Sequence, residues 1–292
     1  MFDLRYHVAS LAAVFLALVI GILVGVGISD PVDNAKTGLL ERQVASLQKQ
    51  LDQQVQQTGS VAREQDAARS FINQTYPALI RNRLRGKHVA VVYVGSPNGA
   101  MPSAVNRTLI NADGQQLRLR VIKVPVDAQQ IDKMVAAHPD VGHFTGPGRL
   151  EALGRALGAE LALGGDTPLW KVFTDALVEQ QAGGTKDPAD GVIIVRTAKP
   201  QQDGTSRFLQ GLYSGLGSAG VPAVGVEASD SRPSAVPIYR QAGLSSVDDI
   251  DTPAGRLSLA LLLAGAPSGQ YGLKQSADDF LPALQGIAPS GG

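Results

Sequence analysis

The sequence predicts an α/β protein in three parts: a single N-terminal transmembrane helix, a coiled-coil stalk and a largely parallel-sheet α/β domain. Residues Val8 to Ile28 carry no charge and one polar side chain, Ser10. Leu40, Val44, Leu47 and Leu51 recur at heptad spacing. From Lys87 onward, β-branched runs alternate with helical patterns of 10–15 residues. The expected parts are 1–30 (tail and anchor), 31–80 (stalk), 81–275 (α/β domain) and 276–292 (C-terminal tail).

At roughly 1.5 Å per residue, the Val8–Ile28 run spans about 30 Å as a helix, the thickness of a hydrocarbon core. A lone span must be helical, because lipid offers its backbone no other hydrogen-bond partner. The run exceeds the roughly 7–15 residues of a signal peptide's apolar region, and no A-x-A pattern follows it. An uncleaved anchor touching lipid through residues 8–28 is therefore expected. Arg5 on the amino side and Asp30 and Asp33 beyond the run favour an extracytoplasmic body, while Lys36 and Arg42 count the other way. Gly21 and Gly25 form a GxxxG pair with Gly27 close by. It marks either a helix–helix interface or a chance pattern in an apolar helix.

The 40/44/47/51 seam extends to Gln54, Thr58, Val61, Gln65, Ala68 and Ile72. Its middle is polar, and Gly59-Ser60 interrupts it. Two readings stand, an amphipathic helix packed on its own domain or a parallel two-stranded coil. Tethering favours the coil and hence a parallel homodimer, because two membrane-fixed chains share a high effective concentration.

Within the domain, His88–Val94 reads as a strand followed by the Gly95–Gly99 turn, and 100–112 as a helix. In 117–124 apolar and basic residues alternate, as in a strand near a sheet edge. Helical patterns follow over 127–137, 149–163 and 168–181. Gly191–Arg196 and Val221–Val226 read as strands, with a helix of 205–219 between them. This order predicts a Rossmann-like layered fold. About 200 residues suffice for one such core. The 26 basic and 26 acidic side chains balance, so nucleic-acid binding has no electrostatic support.

A search for chemistry returns little. Gly95-x-x-x-Gly99 matches neither the dinucleotide fingerprint nor the Walker A loop. No nucleophile elbow and no H-E-x-x-H occurs, so neither catalytic nor cofactor-binding residues are expected and the chain does not read as an enzyme. Asp248, Asp249 and Asp251 either offer hard oxygen ligands to a divalent cation or solvate a turn before the helix near Pro253. Arg196 and Arg256 read most simply as surface or ion-pair residues. His138 and His143, five apart across Pro139, are either a weak metal pair or two unrelated histidines.

The N-terminal string Met1-Phe-Asp-Leu-Arg-Tyr-His-Val-Ala-Ser-Leu-Ala-Ala-Val-Phe-Leu-Ala-Leu18 resembles the N-terminus of the MctB family. Ser246-Val-Asp-Asp-Ile-Asp-Thr-Pro-Ala-Gly-Arg256 and Gly269-Gln-Tyr-Gly272 resemble its carboxyl-terminal block. The resemblance implies an envelope protein acting in copper efflux and homeostasis, described for the mycobacterial member as an outer-membrane pore. For the corynebacterial SteB-like members it implies a scaffold working with a membrane partner, SteA, in cell-wall and cell-division control.

Physical chemistry pulls against a pore built by this chain. A channel needs a closed barrel or several polar-faced helices, and the sequence has one apolar span. A helix-type anchor likewise does not support an outer-membrane location. Cu(I) prefers thiolate and thioether, and Cu(II) prefers imidazole. The chain has no Cys, three scattered methionines (Met1, Met101, Met134) and four histidines, of which His7 sits at the membrane edge and His88 opens a strand. At Gln270, glutamine stands where relatives can carry histidine, which weakens a copper role for that turn. Copper therefore rests on resemblance alone.

Overall fold

The computed structural model describes the backbone of residues 4–26, 34–97 and 99–283. Side chains are described throughout these segments except in 4–11, 25–26, 34–43 and 55–63. The chain divides between Ala68 and Arg69 into two units.

In the first unit, helix α1 covers Leu4–Val26. Its described side chains are apolar on every side, and Val14, Phe15, Leu16, Leu18, Ile20, Ile22, Leu23 and Val24 are each at least half exposed. Among the described residues no helix is long and apolar enough to cross a membrane. The expected span Val8–Ile28 falls only partly within them, since its side chains are described for 12–24 and its last two residues lie outside. Nothing lies within 4 Å of the place a Cβ would occupy on Gly21, and the side chain position of Gly25 lies outside the described residues. Helix α2, Asn34–Ile80, runs on through Gly59-Ser60. Of the heptad residues, Leu47 and Leu51 are exposed, Val44 is half-buried, and Leu40 lies outside the described side chains.

The second unit is a seven-stranded sheet between two helical layers, in the order β3-β2-β1-β4-β5-β6-β7. The strands are β1 (His88–Val94), β2 (Gln115–Ile122), β3 (Val178–Ala182), β4 (Gly191–Arg196), β5 (Ala223–Val226), β6 (Ser245–Val247) and β7 (Gln270–Tyr271). All neighbours pair parallel except β3, which runs antiparallel to β2 at the edge. This is the expected largely parallel α/β sheet, with its topological switch point between β1 and β4.

Central strands buried on both faces read as continuous apolar runs, and β1 and β4 do so. Ala90, Val92, Val94, Val192 and Ile194 face helices α5 (Arg149–Leu163), α6 (Pro168–Leu177) and α7 (Asp203–Gly217), with α4 (Ala128–Ala137) and α8 (Val236–Gln241) completing the layer. Val89, Val91, Tyr93, Ile193 and Val195 face α3 (Met101–Asn111) and α9 (Pro253–Leu263). The last turns of α2 join this second layer through Tyr76 and Ile80.

The helix expected over 168–181 stops at Leu177, a correction. Beyond it, Val178-Glu-Gln-Gln-Ala182 has three successive polar residues at its centre. Val178 is buried and the other four are exposed, which suits an edge strand whose polar side chains discourage pairing with another chain. β2 holds a second surprise. The alternation of basic and apolar residues is inverted relative to a solvated edge, because Arg118 and Arg120 are buried while Leu117 and Leu119 are half-buried.

Helices α5 and α7 meet through two reciprocal glycine pairs. A Cβ on Gly154 would lie 2.1 Å from Phe208 O, and one on Gly158 2.4 Å from Leu212 O. Conversely, a Cβ on Gly211 would lie 2.0 Å from Glu151 O, and one on Gly215 2.1 Å from Arg155 O. Only glycine permits backbones this close, as in the small-residue interfaces of membrane helices. In an exposed helix, Gly→Ala stabilises by about 0.8–1.0 kcal/mol. Here Gly211→Ala or Gly215→Ala is expected to destabilise by about 2–3 kcal/mol, the scale of core overpacking, as read by urea unfolding.

Candidate functional site

Open α/β sheets bind ligands in the crevice outside the carboxyl ends of their strands at the switch point. Here the loops after β1 and β4 touch. Thr197 and Ala198 both donate their backbone N–H to Val94 O, and a Cβ on Gly95 would fall 2.8 Å from Ala198 Cβ. The polar chemistry instead gathers one side over, after β5, β6 and β7.

Glu227 follows β5 directly and is 2% exposed. Its carboxylate accepts hydrogen bonds from Ser234 Oγ and Ala235 N, both at 2.6 Å, and pairs with Lys274 Nζ at 2.5 Å. Lys274 also donates to Ala228 O and Ser231 O. The buried pair is therefore hydrogen-bonded at both ends, the condition under which burying two charges is tolerated.

Asp248 and Asp249 follow β6 directly, and both are buried. Asp248 accepts the backbone N–H groups of Leu273 at 2.8 Å and Lys274 at 3.1 Å. Gly272 (φ +139°) makes this approach possible, because a Cβ there would lie 2.1 Å from Asp248 Oδ1. Asp251 accepts from Ser229 N and Ser229 Oγ, each at 2.7 Å. Thr252 caps α9 by accepting from Gly255 N, while its hydroxyl donates to Asp249 Oδ2. Asp249 Oδ1 is buried without a hydrogen-bond partner. Burial pushes the Asp249 carboxyl up to about 6; Asp248 and Asp251 add to the rise, and the Thr252 hydrogen bond opposes it.

Asp248 and Asp251 thus each hold a different loop, and Asp249 holds the Thr252 cap of α9, rather than the three converging on a cation. Gln270 belongs to strand β7, which corrects its reading as a turn residue. It is buried, donates Nε2 to Leu244 O and accepts from Ser246 Oγ. Arg256 is also more than a surface residue. Its guanidinium lies 5.4 Å from the centre of the Tyr76 ring, and Nη1 donates to Asp251 O. This cation–π contact ties α9 to the end of α2. Arg196 is half-buried and donates to Pro233 O.

His138 is half-buried at the end of α4, and His143 is exposed with its ring 4.1 Å from that of Phe144. His88 is exposed, its Nδ1 3.5 Å from Asp190 Oδ2. Met101 opens α3 and Met134 packs against the first core layer. Met1 and the side chain of His7 lie outside the described residues. Among the described residues no group of three or more His, Cys, Asp or Glu is placed to hold a metal ion.

The fold and site define a class, a doubly wound α/β body whose strand ends are closed by a buried acidic clamp and which continues from a long N-terminal helix. The two strings that close this clamp, Ser246–Arg256 and Gly269–Gly272, are the ones whose resemblance to the MctB family the sequence carries, and they lie within the region its profile matches. The chain belongs to that family, described as copper transport outer membrane protein, MctB, whose sequence profile matches residues 1–282. It is similar to the copper transporters MctB of Mycobacterium bovis and Mycobacterium tuberculosis, 26% identical over 93% of this chain and 96% of theirs.

Two outcomes follow from the clamp. Lys274→Met leaves Glu227 buried and unpaired, and is expected to cost about 3–5 kcal/mol in urea unfolding, with Glu227→Gln in the same chain recovering part of it. For Asp249, the folded carboxyl binds its proton more tightly than the ordinary carboxyl of the unfolded chain. Between about pH 4 and pH 6 the folded state holds the extra proton, so this group's contribution to stability falls as pH rises. Asp249→Asn is therefore expected to gain on the order of 2–3 kcal/mol over the parent at pH 7 and nothing at pH 4, measured by denaturation at each pH.

Proposed function

We propose that this chain is a single-pass, membrane-anchored envelope protein acting in copper efflux and homeostasis. In this reading α1 is the anchor, α2 a dimerising stalk, and the α/β body a non-catalytic binding module on the extracytoplasmic side. The observation that carries the reading is the family match, which covers residues 1–282 and so includes both the N-terminal helix and the clamp. The exposed apolar surface of α1 supports the anchor, because a helix apolar all round must be covered by protein or by lipid. Exposed Leu47 and Leu51 at heptad spacing support a parallel homodimer through the stalk.

The donor set supports a division of labour in copper handling. Soft metal needs thiolate, thioether or imidazole, and among the described Met and His residues only Met134 and His138 share an element, α4 and its C-terminal cap. Copper is then coordinated with a membrane partner that the stalk or body holds in place, and the chain forms no pore by itself.

In a strain lacking this chain, a version with α1 replaced by an unrelated single span is expected to restore copper tolerance fully. Single-channel currents from the purified native chain, abolished by substitutions in Val8–Ile28, would overturn the reading. In light scattering, Leu47→Asp with Leu51→Asp is expected to convert dimer to monomer while circular dichroism of the body stays unchanged. Charge buried at a seam without a partner is costly enough to separate the coil.

A further inference from the structure

A groove of about 650 Å³ runs between α6 and the loop that follows β3. Arg120, Thr167, Trp170, Lys171, Gly183 and Gly184 line it. Arg120 is 3% exposed, yet no carboxylate pairs with it among the described residues. Its Nη1 donates to two carbonyls, Leu119 O and Ala182 O, and its Nε is buried without a partner. The Thr167 hydroxyl, 2% exposed, is likewise buried and unpartnered.

A buried guanidinium held by carbonyls alone keeps its full positive charge uncompensated, an expensive arrangement. Its neighbour two residues back on the same strand face, Arg118, adds a second buried cation. Burial and Arg118 both push the Arg120 guanidinium below its ordinary value. Lys171 adds a third cation. Its partner Asp166 is almost fully exposed, and such surface pairs hold a lysine weakly. The first N–H groups of α6 are not part of this site, because Glu160 already accepts from Leu169 N and Trp170 N. Asp175 is the carboxylate that lines the groove, at its exposed end, where Lys123 Nζ donates to the Asp175 carbonyl.

We propose that this groove is a binding site for an oxyanion, a phosphoryl or carboxylate group received by Arg120 with the Thr167 hydroxyl and Lys171. A planar guanidinium is the side chain best matched to both groups. Gly183 and Gly184 add no side chain to the groove where they line it.

Trp170 is the only tryptophan of the chain and lines the groove, so its fluorescence reports occupancy directly. The purified full chain is titrated with sodium phosphate and, separately, sodium acetate, each against sodium chloride of equal ionic strength. A saturable change in Trp170 emission with phosphate, acetate or both is expected, and which anion saturates assigns the group. Arg120→Met should weaken the response at least tenfold and Lys171→Gln two- to threefold, while Arg149→Met, on a different surface, should leave it unchanged. Where Arg120→Met fails to fold by circular dichroism, Thr167→Val carries the test with an expected loss of about threefold. A response no larger than that of chloride overturns the proposal. So does a saturable response that folded Arg120→Met, or Thr167→Val in its place, leaves undiminished.

Discussion

β1 and β4 are apolar on both faces, and no surface strand can be. Each needs a helical layer on either side, and the rest of the second unit is arranged to supply them. On one side the layer is thick, and α5 and α7 fit together over the sheet only because glycines let their backbones touch. On the other side α3, α9 and the end of α2 share the load, with Arg256 over Tyr76 binding two of them together. Sheet burial therefore dictates the glycine interface, and it also draws Tyr76 and Ile80, in the last turns of α2, into the core.

The same burial explains the clamp. A parallel sheet leaves backbone N–H groups of the loops after its strands without strand partners, and buried donors need acceptors. Glu227, Asp248 and Asp251 supply carboxylate oxygens to those loops, and Lys274 supplies the compensating charge. Asp249 is the member that this scheme leaves incompletely served, with one oxygen unpartnered. Burial, with one oxygen unpartnered, therefore pushes its carboxyl up to about 6, unlike one drawn into an ion pair.

The long apolar or periodic segments were legible in the sequence: β1, β4 and the helices α3, α4, α5 and α7 lie where the patterns put them, within a few residues. Strands β6 and β7, of three and two residues, carry too few positions for any periodicity, and their pairing is set by distant partners. The acidic run 248–251 was visible, but its burial was not, because the acceptors' partners come from residues 229 and 273–274. The glycine pairs at 154/158 and 211/215 have the same four-residue spacing as the pair noted at 21/25, and that spacing was the signal available for finding them. For β2 the alternation predicts a strand near the sheet edge, and β2 lies next to edge strand β3. That its arginines are the buried members is not written in the alternation, because the carbonyls that hold them, Leu161 O and Ala182 O, are distant in sequence.

The clamp also bears on what membership of the family conveys. The strings Ser246–Arg256 and Gly269–Gly272 are hydrogen-bonded to each other and to the Glu227 loop, with Gln270 engaged at both ends of its amide. Gly255 and Gly272 are required by the closeness of Asp249 O and Asp248 Oδ1. Asp248, Asp249, Asp251, Thr252, Gly255, Gln270 and Gly272 each have a folding duty, and the acids among them are hard donors occupied by N–H and O–H groups except at Asp249 Oδ1. A match in this block thus reports a shared architecture, and it adds nothing to the supply of ligands for a soft metal. Under the proposed copper role, the metal has to enter through other surfaces of the chain or through what the chain binds.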